Sequence, residues 1–352
     1  MKSVHIDASR SYDIFIGEGL LFEPELLSGV MDRVSKVLIV SDDNVFPLYG
    51  EALKNMLAGT GVSVESFIFE HGEESKNIAT YASLLEYMCH VQMTRSDMIA
   101  ALGGGVVGDL AGFAAATYQR GIRFIQIPTT LLSAVDASVG GKTAIDLKGG
   151  KNQCGCFYQP SLVLCDTGTF QTLPEREYRG GCAEIIKYAM LESEEFLNDL
   201  TENPVSENFE DVVARCVSIK KKYVMEDEFD TGMRMLLNFG HTFGHAIEAA
   251  SGFSMNHGEA VALGMKVMTK ACVKRGICGA DVFSKLTDAL GRYGLDSDVQ
   301  YSAAELERSA LLDKKSAGSS IRLVVTEGPG KCRTETIKKE ELVSWMHDGG
   351  IA

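Results

Sequence analysis

The stretch MIAALGGGVVGDLAGFAAA, residues 98–116, decides how the first half of the chain is read. Its first five residues are apolar without alternation, as in a strand covered on both faces. Gly103, Gly104 and Gly105 then make a tight turn, and a helical pattern follows. With five glycines before Phe113 and a charge at Asp109, the segment suits a buried strand–turn–helix better than a membrane span. The same grammar recurs on either side. VLIV at 37–40, FIF at 67–69, FIQI at 124–127 and LVLC at 162–165 are short apolar runs, with helical patterns such as 78–91 between several of them. That alternation predicts a parallel sheet with helices on both faces. VHID at 4–7 and YDIFIG at 12–17 read as a hairpin on its edge. After about residue 175 the apolar spacing turns helical, with one late strand-like run, IRLVV at 321–325. The expected architecture is an α/β Rossmann-like domain with a parallel sheet over 1–174, then a mainly α-helical domain over 175–352.

A chain of 352 residues with 45% apolar and 23% charged residues has the composition of a globular enzyme. MKSVHIDASR has no apolar run after its lysine, which argues against a secretory signal. Nine cysteines without CxxC spacing, Cys154 and Cys156 being the one close couple, predict reduced thiols and a cytoplasmic location. A net charge of −14 excludes nucleic acid and anionic membranes as natural partners. Lys220, Lys221 and Lys222 form the only basic triplet and read, by themselves, as a solvated helix face.

GGGVVG at 103–108 satisfies GxGxxG, where glycines admit a pyrophosphate to a helix N-terminus. It departs from the dinucleotide fingerprint in two ways. It follows the third apolar run, and Pro128 and Thr129 stand about 20 residues on, where an acid belongs. The acid able to hold a ribose is Asp42, after the run at 37–40. A tight turn in a packed unit explains the same letters. Gly140-Gly141-Lys142-Thr143 fails as a Walker A loop because Asp136 stands where glycine is required, yet a lysine among glycines still suits an anion.

LNFGHTFGHAIEAASGFSMNHGEAV, residues 237–261, holds three of the seven histidines. His241 and His245 share a helical face, and His257 follows a turn. Two histidines and one carboxylate with an open fourth position is a common plan for catalytic zinc. Spacing alone leaves open which two histidines bind and which of Glu184, Glu248 and Glu259 completes the set.

Together, GGGVVGDLAGFAAATYQRG, IQIPTTLLSAVDASVGGKTAID, GKNQCGCFYQP, TLPEREYRGGCAEIIKY, LLNFGHTFGHAIE and NHGEAV resemble the 3-dehydroquinate synthase family, in that family's order. The resemblance implies a metal- and NAD-dependent lyase converting 3-deoxy-D-arabino-heptulosonate 7-phosphate to 3-dehydroquinate and phosphate in the shikimate pathway. It implies zinc or cobalt on Glu184, His241 and His257, with His245 hydrogen-bonding substrate or relaying protons. It places NAD on Gly104, Gly105, Val106 and Asp109, with Asp42, Glu73 and Lys76 toward ribose and adenine and Thr129 and Thr130 nearby. Lys142 and Lys151 touch both cofactor and substrate in this picture. Asn152, Lys187, Lys220, Arg234, Asn238 and Lys314 or Lys315 complete a pocket for a small anionic sugar phosphate, with Asp136 orienting it. Arg120 matches an arginine given across a subunit interface, so a homodimer is expected. Departures are small: Cys154 and Cys156 flank Gly155 where an aliphatic residue and an alanine are usual, and Asp146 stands where asparagine is frequent. The nearest rival is a cyclase of a neutral-headed sugar phosphate such as glucose 6-phosphate. Such an enzyme has little use for both Arg234 and Lys220. A polyol dehydrogenase leaves Lys142, Lys151 and Arg120 without a phosphate, and a non-catalytic regulator leaves the whole set without a purpose.

Overall fold

The computed structural model describes residues 1–313 and 319–352, so Lys314 and Lys315 lie outside the described residues. β1 (Lys2–Ile6) and β2 (Tyr12–Gly17) form an antiparallel hairpin. Strands and helices then alternate: β3 (Lys36–Asp42), α1 (Glu51–Ala58), β4 (Ser63–Phe69), α2 (Ile78–His90), β5 (Met98–Gly103), α3 (Gly105–Thr117) and β6 (Arg123–Pro128). β7 (Lys142–Leu147) and β8 (Gly150–Phe157) pair with each other, and β9 (Leu162–Asp166) returns to the main sheet. The sheet order is β1-β2-β9-β6-β5-β3-β4, parallel throughout except for β1 at one edge.

The unbroken apolar runs exist because both sheet faces are covered. Val37 and Ile39 pack with Leu53 and Leu57 of α1, while Leu38 and Val40 turn to Leu84 of α2 and Leu110 of α3. The strand order reverses between β3 and β5, and such a reversal opens a crevice at the carboxyl ends of the strands. Asp42 ends β3 there and Gly103 ends β5. Ser41 Oγ ties the two strands by donating to the Leu102 carbonyl at 2.7 Å.

No strand is predicted from the sequence at 142–157, where the β7–β8 hairpin stands. It is a bulged pair, with the register shifting between Ile145 and Leu147. The remaining elements are α4 (Glu175–Glu192), α5 (Glu194–Glu202), α6 (Phe209–Glu226), α7 (His241–Ala250), α8 (His257–Lys274), α9 (Ala280–Arg292), α10 (Ala303–Asp313), the hairpin β10 (Ser320–Gly328) with β11 (Lys331–Lys338), and α11 (Leu342–Asp348). The chain forms two compact units. One is Met1–Leu173 with Val213–Phe229; the other is Pro174–Val212 with Asp230–Ala352. Within the first, Glu228 accepts from Gln159 Nε2 at 2.8 Å and from Ser9 Oγ at 2.6 Å, and Phe229 meets Phe157 edge-on at 5.4 Å. Lys220 lies in this excursion and is only 5% exposed, so one member of the lysine triplet departs from the solvated row. Among the described residues no helix is long and apolar enough to cross a membrane.

Candidate active site

In the first unit, the crevice at β3 and β5 gathers backbone donors and charge. α3 starts at Gly105, and its N-cap Gly104 offers no side-chain acceptor, so the first-turn N–H groups of Gly105, Val106 and their neighbours suit an anion. Thr129 N donates to the Gly103 carbonyl at 3.0 Å, and Thr129 Oγ1 is buried without a protein partner. A buried hydroxyl in that state fits a polar ligand atom. Thr130 Oγ1 is tied to Ser133 Oγ at 2.8 Å. Asp42 Oδ1 accepts from the N–H of Asn44 and Val45 at 3.0 and 2.8 Å. Burial outweighs those bonds and holds its carboxyl above the ordinary aspartate value.

Lys76, 4% exposed, is the hub beside this crevice. Its Nζ lies 2.6 Å from Asp109 Oδ2, 2.6 Å from Asn152 Oδ1 and 3.8 Å from Glu73 Oε1. Burial alone would discharge it, but Asp109 and Glu73 overcome that and raise its pKa. Lys151 Nζ sits 3.7 Å from the same Glu73 oxygen. Asn152 is held at φ +55°, a left-handed conformation costly to most side chains, and its N–H donates to Asp146 Oδ1 at 2.7 Å. Asp146 N in turn donates to the Lys76 carbonyl at 2.7 Å. Lys220 Nζ donates to Asp136 twice, at 2.7 Å to its carbonyl and 2.8 Å to Oδ1. Lys142 is exposed at the start of β7, and exposed Arg120 adopts φ +68°.

The histidines belong to the second unit. α7 and α8 touch through glycines: a Cβ on Gly264 would lie 2.0 Å from the Gly240 carbonyl oxygen. That approach sets His241, at the start of α7, beside His257, at the start of α8, with ring centroids 5.2 Å apart. Glu184 on α4 is 0% exposed, and its Oε1 lies 3.6 Å from His241 Nε2 and 3.4 Å from His257 Nε2. Ligands held tetrahedrally at about 2.0–2.1 Å from zinc are separated by about 3.3–3.4 Å. His245 stands 5.3 Å from His241 and 5.7 Å from His257, ring to ring. The three histidines also offer nitrogens within 4.8 Å of one another, a second possible set. Lys187, one turn along α4 and 1% exposed, pairs with Glu184 Oε2. Arg234, 1% exposed, and half-buried Asn238 share the turn before α7.

The donor chemistry fits a divalent metal. His241 Nδ1 faces the Phe239 carbonyl at 3.2 Å and His257 Nδ1 faces Glu248 Oε2 at 3.5 Å. With those nitrogens protonated, both Nε2 lone pairs point toward a carboxylate, and only a cation reconciles three acceptors. Burial takes His241 well below the ordinary histidine value. Burial also opposes charge on His257, but hydrogen bonds to Glu184 and Glu248 carry it to about 9. Lys187 and a proton on His257 supply positive charge beside Glu184, and a metal bound there would take the place of that proton.

Of the three glutamates that spacing left open, Glu248 backs His257 and Glu259 is engaged by Arg176 at 2.8 Å. Spacing does not signal the Arg176 contact, because it joins helices 83 residues apart; Glu248 and His257, nine residues apart, meet because α8 packs back on α7. Cys182 stands two residues from Glu184 on α4. It is fully buried and its thiol is pushed to about 12, so it is no nucleophile near neutral pH.

The family described as 3-dehydroquinate synthase N-terminal matches residues 66–180, and 3-dehydroquinate synthase C-terminal matches 181–316. The chain is 40% identical over 342 residues to a 3-dehydroquinate synthase of Streptococcus sanguinis, covering 95% of this chain and 96% of that one. It is 42% identical over 341 residues to one of Clostridium botulinum, covering 94% and 97%. Among solved structures it resembles 2-deoxy-scyllo-inosose synthase complexed with carbaglucose-6-phosphate, NAD+ and Co2+ (TM-score 0.88, 26% identity, 99% and 100% covered). It also resembles 2-epi-5-epi-valiolone synthase of Streptomyces hygroscopicus with NAD+ and Zn2+ (0.85, 27%, 99% and 99%). An iron-containing alcohol dehydrogenase shares the fold alone (0.65, 15%, 99% and 99%).

Proposed function

The chain belongs to the 3-dehydroquinate synthase family, and from that premise we propose how its residues divide the labour. The activity is that of a lyase: 3-deoxy-D-arabino-heptulosonate 7-phosphate gives 3-dehydroquinate and phosphate, a step toward aromatic amino acids. What carries this reading is 40–42% identity over nearly the whole chain, against 26–27% to cyclases with other names.

NAD and one divalent metal, zinc or cobalt, are the cofactors; when bound, the first exchanges a hydride with a substrate carbinol and the second acidifies the hydroxyl it polarises. Glu184, His241 and His257 hold the metal in this proposal, favoured over the three-histidine set by the spacing and complete burial of Glu184. Gly104, Gly105, Val106, Thr129 and Thr130 line the cofactor, with Asp42 and the Glu73–Lys76–Asp109 network beside it. His245 takes and returns the proton of the reacting hydroxyl. In this proposal Lys142, Lys151 and Asn152 hold the phosphate as it leaves, Lys187, Lys220, Arg234 and Asn238 take the carboxylate and hydroxyls, and Asp136 orients Lys220 by accepting from its Nζ. We further propose a homodimer sharing Arg120 and a cytoplasmic location.

Phosphate release from the heptulosonate phosphate with catalytic NAD tests the reading, with glucose 6-phosphate and sedoheptulose 7-phosphate run in parallel. Turnover on the heptulosonate alone, lost to a chelator and restored by zinc or cobalt, is expected. Release from a neutral-headed sugar phosphate instead would make the chain a different cyclase and remove the roles given to Arg234 and Lys220.

A further inference from the structure

His257 is the first residue of α8, the part of a helix most prone to fray. A ligand there stays put only if the helix start is anchored. The anchor is on α4. Arg176 Nε reaches Glu259 Oε1 and Oε2 at 3.1 and 3.2 Å, and its Nη2 reaches Glu259 Oε2 at 2.8 Å. The same Nη2 donates to the Ser254 carbonyl at 2.6 Å. Glu259 is at the same time half of a capping box: Asn256 N donates to its Oε2 at 3.0 Å, and its own N–H donates to Asn256 Oδ1 at 2.8 Å. Asn256 Nδ2 closes the loop by donating to the Arg176 carbonyl at 3.1 Å. The backbones are pressed together just beyond: a Cβ on Gly258 would sit 2.2 Å from the Gly180 carbonyl oxygen. Gly180 precedes Glu184 by one turn of α4, and Gly258 directly follows His257.

We propose that Arg176 and Glu259 are positioning residues for the metal: their pairing fixes the start of α8 against α4, and so sets His257 Nε2 at ligand distance from Glu184. This rests on the metal set proposed above. The pairing is poorly placed to serve overall stability, since the Arg176 side chain is 52% exposed and Glu259 29%, and exposed ion pairs contribute little. Its geometry is nonetheless bidentate and shared with a helix cap, which favours a role in orientation.

The test compares Arg176→Met, Glu259→Gln and the double variant, with Glu184→Gln as reference. Glutamine keeps an acceptor for the cap but loses the charged pairing, so Glu259→Gln separates the two roles. Cobalt dissociation constants would be measured by chelator competition, the cobalt visible spectrum recorded, and thermal unfolding followed in metal-free protein. Outer-sphere substitutions weaken metal binding about 10–100-fold. We expect roughly tenfold weaker cobalt binding and an altered spectrum in both single variants, and no further loss in the double, because both break one link. Metal-free unfolding should move by no more than about 2 °C. Unchanged cobalt affinity in the single variants overturns the proposal. So do losses that add in the double variant, or losses matched by an equal drop in metal-free stability. A wild-type chain that binds no cobalt, or a Glu184→Gln variant that binds it as well as wild type, overturns the underlying metal set and this inference with it.

Discussion

Glu184 has no solvent-facing surface, so its charge has to be balanced by protein or metal. Removing that charge should release the metal: Glu184→Gln is expected to lower cobalt affinity by more than the roughly 100-fold typical of outer-sphere changes. His245→Ala should keep the metal and lose turnover; metal content measured after dialysis separates the two, and metal loss from His245→Ala would favour the three-histidine set. Asp97 is a purely structural contrast. It accepts from Ser35 Oγ, Lys36 N, Thr94 N and Thr94 Oγ1 at 2.6–2.9 Å. Burial alone would raise its pKa, but those bonds lower it. Its stabilisation is therefore complete above the ordinary aspartate value near about 3.9 and is lost as pH falls through the lower folded value. Asp97→Asn should cost about 2 kcal/mol in urea unfolding at pH 7 and flatten the acid limb below pH about 4. Spacing alone left the candidate metal set open, because Glu184 meets His241 and His257 only through tertiary packing. Their motifs, which resemble a known family, were legible where their geometry was not.

At the scale of elements, the strands of the main sheet were readable because parallel strands advertise burial as unbroken apolar runs. The β7–β8 hairpin was not, because the two residues between its strands, Lys148 and Gly149, are not a favoured turn pair and GKNQ at 150–153 has no hydrophobic side chain. Neighbours hold it instead, through Lys76, Asp146 and Asn152. Lys76→Met should thus strand Asp109 and loosen the hairpin, costing roughly 3–5 kcal/mol, with Asp109→Asn recovering a large part. Denaturation of the single and double variants checks this; equal loss in both would show that the ion pair is not the source. Helices α7 and α8 pack through absent side chains. Gly264→Ala forces a methyl against the Gly240 carbonyl and should lower stability by about 3 kcal/mol, seen as a lower unfolding midpoint. Cobalt binding should weaken in the same variant, since His241 begins the helix that is displaced.

For the whole molecule, the regions proposed for NAD and for the metal belong to different units. Zinc at 100 times its dissociation constant should add about 2.7 kcal/mol of stability, and hydrogen exchange should slow at the starts of α7 and α8. NAD should slow exchange at the ends of β3 and β5 and in the β7–β8 hairpin; slowing of only the helical unit by NAD would contradict the assignment. The change of texture near residue 175 is visible in the sequence, but nothing there marks 213–229 as part of the sheet-bearing unit, because α6 is an ordinary amphipathic helix. That return of the chain governs how the protein is born. A ribosome that has released residue 173 has made every strand of the main sheet, yet the unit still lacks the segment that carries Lys220, Glu228 and Phe229. At about 10 residues per second it waits several seconds for that piece, while the start of the helical unit emerges first. The nascent sheet thus spends that interval without its last segment, which makes it the stage at which holdase chaperones have most to protect.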